Sequence, residues 1–172
     1  MSTTFTKLNE GWNAEPNGQT PEISFAGRDL VLAFLLNDLV YPKYQTAEKG
    51  ILRFPECWKY RIGGPNDEGW YRGQCRFSRL APTWGEFYEV HGDLLLDWVP
   101  DPKAFRTRGI QLEPRPSHWV TIGEPGASSR HFLFYLRDQT FECDAADWSF
   151  SVIWKPQQAR CSEPGDDALV DN

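Results

Sequence analysis

Glu142 and Asp144 sit two residues apart and would share one face of a strand. Paired acids of that kind are what glycoside hydrolysis requires at a fixed separation. Asp67 with Glu68 and Glu86 with Glu89 are the other close pairs, but a strand places Glu86 and Glu89 on opposite faces. With 24 acidic side chains in 172 residues such spacings arise by chance, so the ordinary reading of each pair is a solvated face. The three histidines, His91, His118 and His131, form no HxH or HExxH, and a metal site would have to be assembled by the fold, as in cupin-like barrels. No GxSxG accompanies Ser128-Ser129, and GxGxxG and GxxxxGK phosphate loops are missing. No motif points to a reaction or a cofactor.

The segment Asn66-Asp-Glu-Gly-Trp-Tyr-Arg-Gly-Gln-Cys-Arg-Phe-Ser-Arg79 is more informative. Read as a strand from Trp70 to Ser78, it turns Trp70, Arg72, Gln74 and Arg76 to one face and Tyr71, Cys75 and Phe77 to the other. The first set puts an indole beside two guanidinium groups, a combination enriched at the energetic centres of protein interfaces and able to hold an anion. Arg79 closes the segment and Trp84 follows it, so Trp70, Arg72, Gln74, Arg76, Arg79 and Trp84 are the candidate binding residues. The competing reading pairs these arginines with acids on neighbouring strands. Trp12, Trp70, Trp84, Trp98, Trp119 and Trp148 also invite a carbohydrate-binding reading, although large rings mostly fill cores.

Those residues need a scaffold, and the composition favours strands. The chain carries 25 aromatic rings, 15 % of its residues, spread from Phe5 to Trp154, and aromatic residues favour strands. About ten short β-branched or aromatic runs recur between Gly, Pro, Asn and Asp, the pattern of an all-β antiparallel sandwich or flattened barrel with little helix. Glu22 to Phe25 and Leu30 to Leu36 predict a hairpin across Ala26-Gly-Arg-Asp29. The apolar run Asp29 to Tyr41 would also suit a helix, but Pro42 shortens the window and a buried strand is preferred. Gly50 to Ile62 alternates on either side of Pro55, which implies an edge or a bulge. Thr83-Trp-Gly-Glu86 matches a capping box, yet Gly85 weakens a helix there. A hairpin from Glu86 to His91 and Leu94 to Val99 across Gly92-Asp93 fits better. Pro100 to Pro116 reads as loop, His118 to Ile122 as strand, and Gly123 to Ser129 as a mobile loop. A tight hairpin over Phe132 to Arg137 and Thr140 to Cys143, and a final strand from Ser149 to Trp154, complete one β domain over 1–155. Residues 156–172 read as an acidic, disordered tail.

Charge and cysteines bound the partner. The net charge is −6, which argues against nucleic acid as a general partner. Four acids fall after the last Arg, leaving −2 over residues 1–162, and residues 53–79 carry +3, enough for a local anion site. No run approaches the roughly 20 apolar residues of a membrane span, and the start lacks a secretory pattern; a cytoplasmic, soluble protein is expected. Cys57, Cys75, Cys143 and Cys161 lack CxxC spacing. The first three read as small buried fillers and Cys161 as exposed.

The stretch His131-Phe-Leu-Phe-Tyr-Leu-Arg-Asp-Gln-Thr-Phe-Glu-Cys-Asp-Ala-Ala-Asp-Trp148 resembles a segment of small uncharacterised bacterial proteins, some grouped with toxin-immunity proteins. The resemblance covers about a tenth of the chain and transfers no catalytic residue. It implies a cytoplasmic inhibitor that occupies another protein's surface, with the acidic total suited to a basic partner. The sequence therefore predicts a non-catalytic binding protein whose partner is another protein, or a small anionic or sugar ligand. The alternatives are a barrel or enzyme with an internal pocket, and a carbohydrate-binding module.

Overall fold

The computed structural model describes residues 3–64, 66–72, 77, 80–92, 118–136 and 138–153. Ten strands and one short helix follow in chain order: β1 (Thr4–Lys7), β2 (Glu22–Ala26), β3 (Asp29–Leu35), β4 (Lys49–Phe54), β5 (Lys59–Gly63), α1 (Asp67–Tyr71), β6 (Phe87–His91), β7 (Val120–Thr121), β8 (Arg130–Tyr135), β9 (Thr140–Ala145) and β10 (Ser149–Ile153). They build two antiparallel sheets: six strands in the order β1-β6-β8-β9-β5-β7, and four in the order β10-β4-β3-β2. The fold is all-β and sandwich-like, as its alternating rings and turn residues require.

The β2–β3 hairpin forms where the sequence places it, with Ala26 paired to Asp29 and Gly27 at φ 65° in the turn. In β3 every second residue of the continuous apolar run is buried, so the choice of strand over helix holds. Pro55 is neither an edge position nor a bulge. It follows β4 at the corner where the chain leaves the small sheet for the large one, and Glu56 turns the corner at φ 49°. The Pro55 carbonyl accepts the Ala146 N–H at 3.0 Å, tying this corner to the one where β9 hands over to β10.

Between the sheets lies a core dominated by rings. Phe54 contacts Phe87, Phe132 and Phe141, while Trp12 stacks on Phe150 at 4.2 Å and touches Phe34, Phe87 and Phe134. Cys57 and Cys143 fill this core as free thiols, as expected; Cys75 and Cys161 lie outside the described residues. A second cluster, Trp70, Ala81, Tyr88, Val90, Leu133 and Tyr135, covers the opposite face of the large sheet. Strand β8 is consequently buried on both faces, which explains why its sequence reads as unbroken apolar residues rather than an alternation.

The largest departure from expectation concerns Trp70. Asp67–Tyr71 is a helical turn, so no strand begins at Trp70. Asn66 caps it by accepting the Gly69 N–H at 3.1 Å, and Asp67 and Glu68 occupy its first turn, where acids complement the positive end of the helix. The discounted capping box at Thr83 starts no helix: Trp84 and Gly85 form a turn that enters β6. The second half of the hairpin expected after His91, the proline-rich stretch, and the tail from 156 lie outside the described residues.

Candidate functional site

On the face of the large sheet turned away from the sandwich core, register places His131 opposite Asp144, and Asp144 opposite Lys59. One step along, Glu142 stands opposite Arg61. The result is a ladder in which cations and carboxylates alternate across β8, β9 and β5. His131 Nδ1 lies 2.5 Å from Asp144 Oδ1 and its Nε2 lies 2.9 Å from Glu142 Oε2. Arg61 donates Nη2 and Nε to Glu142 Oε1 at 2.7 and 3.1 Å, and Lys59 Nζ lies 3.0 Å from Asp144 Oδ2.

Both ring nitrogens of His131 face carboxylates, which only accept, so the geometry calls for an imidazolium donating twice. Burial, the strongest single influence, pulls its pKa down, but the hydrogen bonds and charges of Asp144 and Glu142 outweigh it and the net displacement is upward. For Asp144 burial pushes upward and is outweighed by His131 and Lys59, leaving the carboxyl below its ordinary value. Indole faces seal the ladder. Lys59 Nζ sits 4.5 Å from the Trp58 and Trp119 ring centroids, and the Arg61 guanidinium lies 4.5 Å from Trp119. The side chains of His131 and Glu142 are only 3 % and 2 % exposed. The expectation of a solvated face for Glu142 and Asp144 is thus corrected: they share a face, but an interior one, and each is committed to cations on neighbouring strands.

The other histidine–acid contact is more open. Arg130 forks onto Glu89 through Nε and Nη2 at 2.8 and 2.5 Å and reaches Asp147 through Nη1 at 2.6 Å. The fork holds the Glu89 carboxyl below its usual range, while the exposed His91 lies 3.7 Å from it. Among the described residues no group of three or more His, Cys, Asp or Glu side chains could hold a metal ion.

A cleft of about 460 Å³ opens at the other end of the large sheet, lined by Asn13, Ala14, Pro16, Asn17, Asn37, Asp67, Trp84, Gly85, Tyr135 and Leu136. Its walls come from five pieces of chain. The strap 13–15 is pinned to the end of β3 by Glu15 N–H to Leu35 O at 2.8 Å and Asn37 N–H to Asn13 O at 3.0 Å. Asn9, almost fully buried, anchors the start of that strap, accepting the Phe87 N–H at 3.0 Å and donating to Trp12 O at 3.0 Å and Glu86 Oε2 at 2.6 Å. Tyr88 reaches back from β6 to hold the turn bearing Trp84: its hydroxyl donates to Thr83 O at 3.0 Å and accepts the Thr83 N–H at 3.1 Å. Trp84 stacks on Tyr135 with centroids 4.7 Å apart, and α1 supplies Asp67.

Two polar groups of this lining are only half used. Asn37 Oδ1 accepts the Val40 N–H at 3.0 Å, but among the described residues its Nδ2 amino group has no partner although the residue is only 8 % exposed. Asn13 Oδ1 accepts the Ala14 N–H at 2.7 Å, and its amino group is likewise without a partner among the described residues.

Of the sequence-predicted site residues, the structure brings Trp70 and Trp84 together, with centroids 6.2 Å apart, but not on an exposed strand face. Trp70 is buried, whereas half-buried Trp84 lines the cleft. Arg72 is exposed and pairs at 3.2 Å with Glu68 of its own helical turn. Gln74, Arg76 and Arg79 lie outside the described residues. Sequence reasoning missed Asn13 and Asn37, since isolated asparagines in turns carry no motif, and it missed the ladder because its cations and acids come from three separated strands. Comparison of the chain with protein-family models, with curated proteins and with solved structures returned no match.

Proposed function

We propose that the protein is a non-catalytic binding protein and that the cleft between the 13–17 strap, α1 and the Trp84 turn is its recognising surface. The observation that carries this reading is Asn37. Its side chain is largely buried and its oxygen is committed to the Val40 N–H, while its amino group stays within reach of solvent with no protein partner among the described residues, a donor available to a ligand in place of water. The cleft has the size of small-molecule sites, roughly 300–1,000 Å³, and the composition of an apolar wall with a few placed polar groups. Its described lining holds a single carboxylate, Asp67, and the Glu142–Asp144 pair that could suggest acid–base work is bound up in the ladder.

The test is a screen of small neutral, acidic and basic compounds against the full chain by two-dimensional NMR. Hits should gather on the resonances of Asn13, Asn37, Trp84 and Gly85 and be recovered unchanged; hits gathering elsewhere would refute the assignment.

A second reading is an inhibitor that occupies a partner protein's surface, in keeping with the acidic chain and the immunity-type resemblance. It is favoured by Tyr71 and Leu80, which are 69 % and 64 % exposed. The residues carrying the resemblance form the β8–β9 hairpin, most of which is interior, so they speak to architecture rather than to a contact surface. A Tyr71→Ser, Leu80→Ser variant should lose any protein that the native chain retains; equal retention would remove this reading.

A further inference from the structure

We infer that the ligand of the cleft is a neutral, polyhydroxylated small molecule, a saccharide in chemical class; the inference rests on the preceding reading that the cleft is the recognising surface. The described lining contains three asparagines, one aspartate, two stacked aromatic rings and small or apolar residues, and no lysine or arginine. With no cation in the described lining and with the Asp67 carboxylate present there, the described site disfavours phosphate and carboxylate ligands, because burying an unpaired anion is costly. A plain hydrocarbon would leave the Asn37 amino group unsatisfied.

A sugar hydroxyl both donates and accepts, and so does a side-chain amide. The Asn37 and Asn13 amino groups supply donors. Asp67 supplies the complementary acceptor: its Oδ1 takes the Glu68 N–H at 2.8 Å, leaving Oδ2 to accept from a hydroxyl. The Trp84 ring, backed by Tyr135 at 4.7 Å, supplies apolar surface for the C–H face that a pyranose presents beside its hydroxyls. Such a wall combines large area with little entropy cost on ordering. The turn that holds it is fixed by Tyr88, so the ring is positioned before any ligand arrives.

The experiment titrates the full chain with glucose, galactose, mannose, N-acetylglucosamine and their β-linked disaccharides, and in parallel with inorganic phosphate, citrate and neutral aromatic fragments, following the Trp84 indole and Asn37 amide resonances. At least one sugar should shift both saturably. Asn37→Asp keeps the acceptor that Val40 N–H requires, replaces the amino donor by an oxygen and adds a negative charge to the cleft, and should weaken that sugar at least tenfold; Trp84→Phe should weaken it several-fold, with dichroism confirming that both variants fold. Aromatic fragments or anions shifting these resonances while every sugar fails would overturn the ligand class and leave the cleft reading standing. Sugars that bind equally well to both variants would overturn both, as would silence of these resonances toward every class of probe.

Discussion

Replacing Glu142 by Gln removes one charge from the ladder with almost no change in volume. Glu142 accepts from Arg61 through Oε1 and from His131 through Oε2, so in the variant one oxygen acceptor becomes an NH₂ group facing a donor. Asp144 would then be the carboxylate that still faces both Lys59 and His131. Removing one partner of a buried pair costs about 3–5 kcal/mol, and with side chains only 2–3 % exposed no solvent discount applies to the His131–Glu142 contact. Part of the cost is relieved if His131 gives up its proton, which places the expected loss in the lower half of that range. For a chain of this size about 2–4 °C is lost per kcal/mol, so the melting temperature should fall by roughly 6–16 °C.

The pH dependence identifies the cause. The folded pKa of His131 lies above its unfolded value, near 6.5. Between the two, the folded state holds a proton that the unfolded state has released, so rising pH favours unfolding. The imidazolium's contribution is complete below about pH 6.5 and is lost as pH climbs through the folded pKa, by up to about 1.4 kcal/mol per pH unit. Asp144 acts in the opposite sense: its folded pKa is lowered, so its contribution is complete above about pH 4 and disappears as the solution is acidified through the folded value. Urea melts of the native chain should therefore show declining stability on the alkaline side of 6.5, and Glu142→Gln should flatten that decline because His131 loses a carboxylate that holds its proton. A variant within 1 kcal/mol of the native chain, with the same alkaline slope, would refute the account of His131 as a buried imidazolium.

Two further substitutions test the scaffold of the cleft. Trp12→Ala removes a buried indole that stacks on Phe150 and touches three phenylalanines, and should cost about 3–5 kcal/mol by chemical denaturation; a loss below 1 kcal/mol would mean the strap carrying Trp12 is not docked on the core. Asn9→Ala strips the Phe87 N–H of its acceptor inside the core, and should cost about 1–3 kcal/mol while broadening the NMR resonances of residues 12–14; an unchanged spectrum would show that Asn9 does not anchor the strap.

The readable parts of this fold were those that depend on neighbours in sequence. Gly27-Arg28 between two apolar runs, and Asp138-Gln139 between two others, specify hairpins because the turn and the strands it joins are contiguous. α1 is also locally encoded, with Asn66 as cap and Asp67-Glu68 after it, but one helical turn buries too little to show a helical period. Glu142 and Asp144 could be assigned a common face and nothing more, because whether that face meets water depends on Trp119 and Lys59, which arrive from β7 and β5. The cleft was least legible. Asn13, Asn37, Asp67 and Trp84 sit in three strand-to-strand connections whose meeting point is fixed by sheet order, and no periodicity in the chain states that order.

The two polar assemblies show why burial alone does not mark a site. The ladder is more charged and more buried, yet its geometry is closed: Glu142 and Asp144 accept from three cations, and the indoles of Trp58 and Trp119 occupy the cationic faces. Adding a ligand there would mean breaking contacts worth more than most small molecules can supply. The cleft is nearly neutral, but Asn37 has already bonded through the oxygen that its backbone geometry requires and keeps its amino group in reserve. A buried charge needs company to exist at all, so a satisfied one signals architecture. An amide whose oxygen is held by the backbone and whose amino group is left to solvent exchanges that water for a ligand without breaking any protein contact.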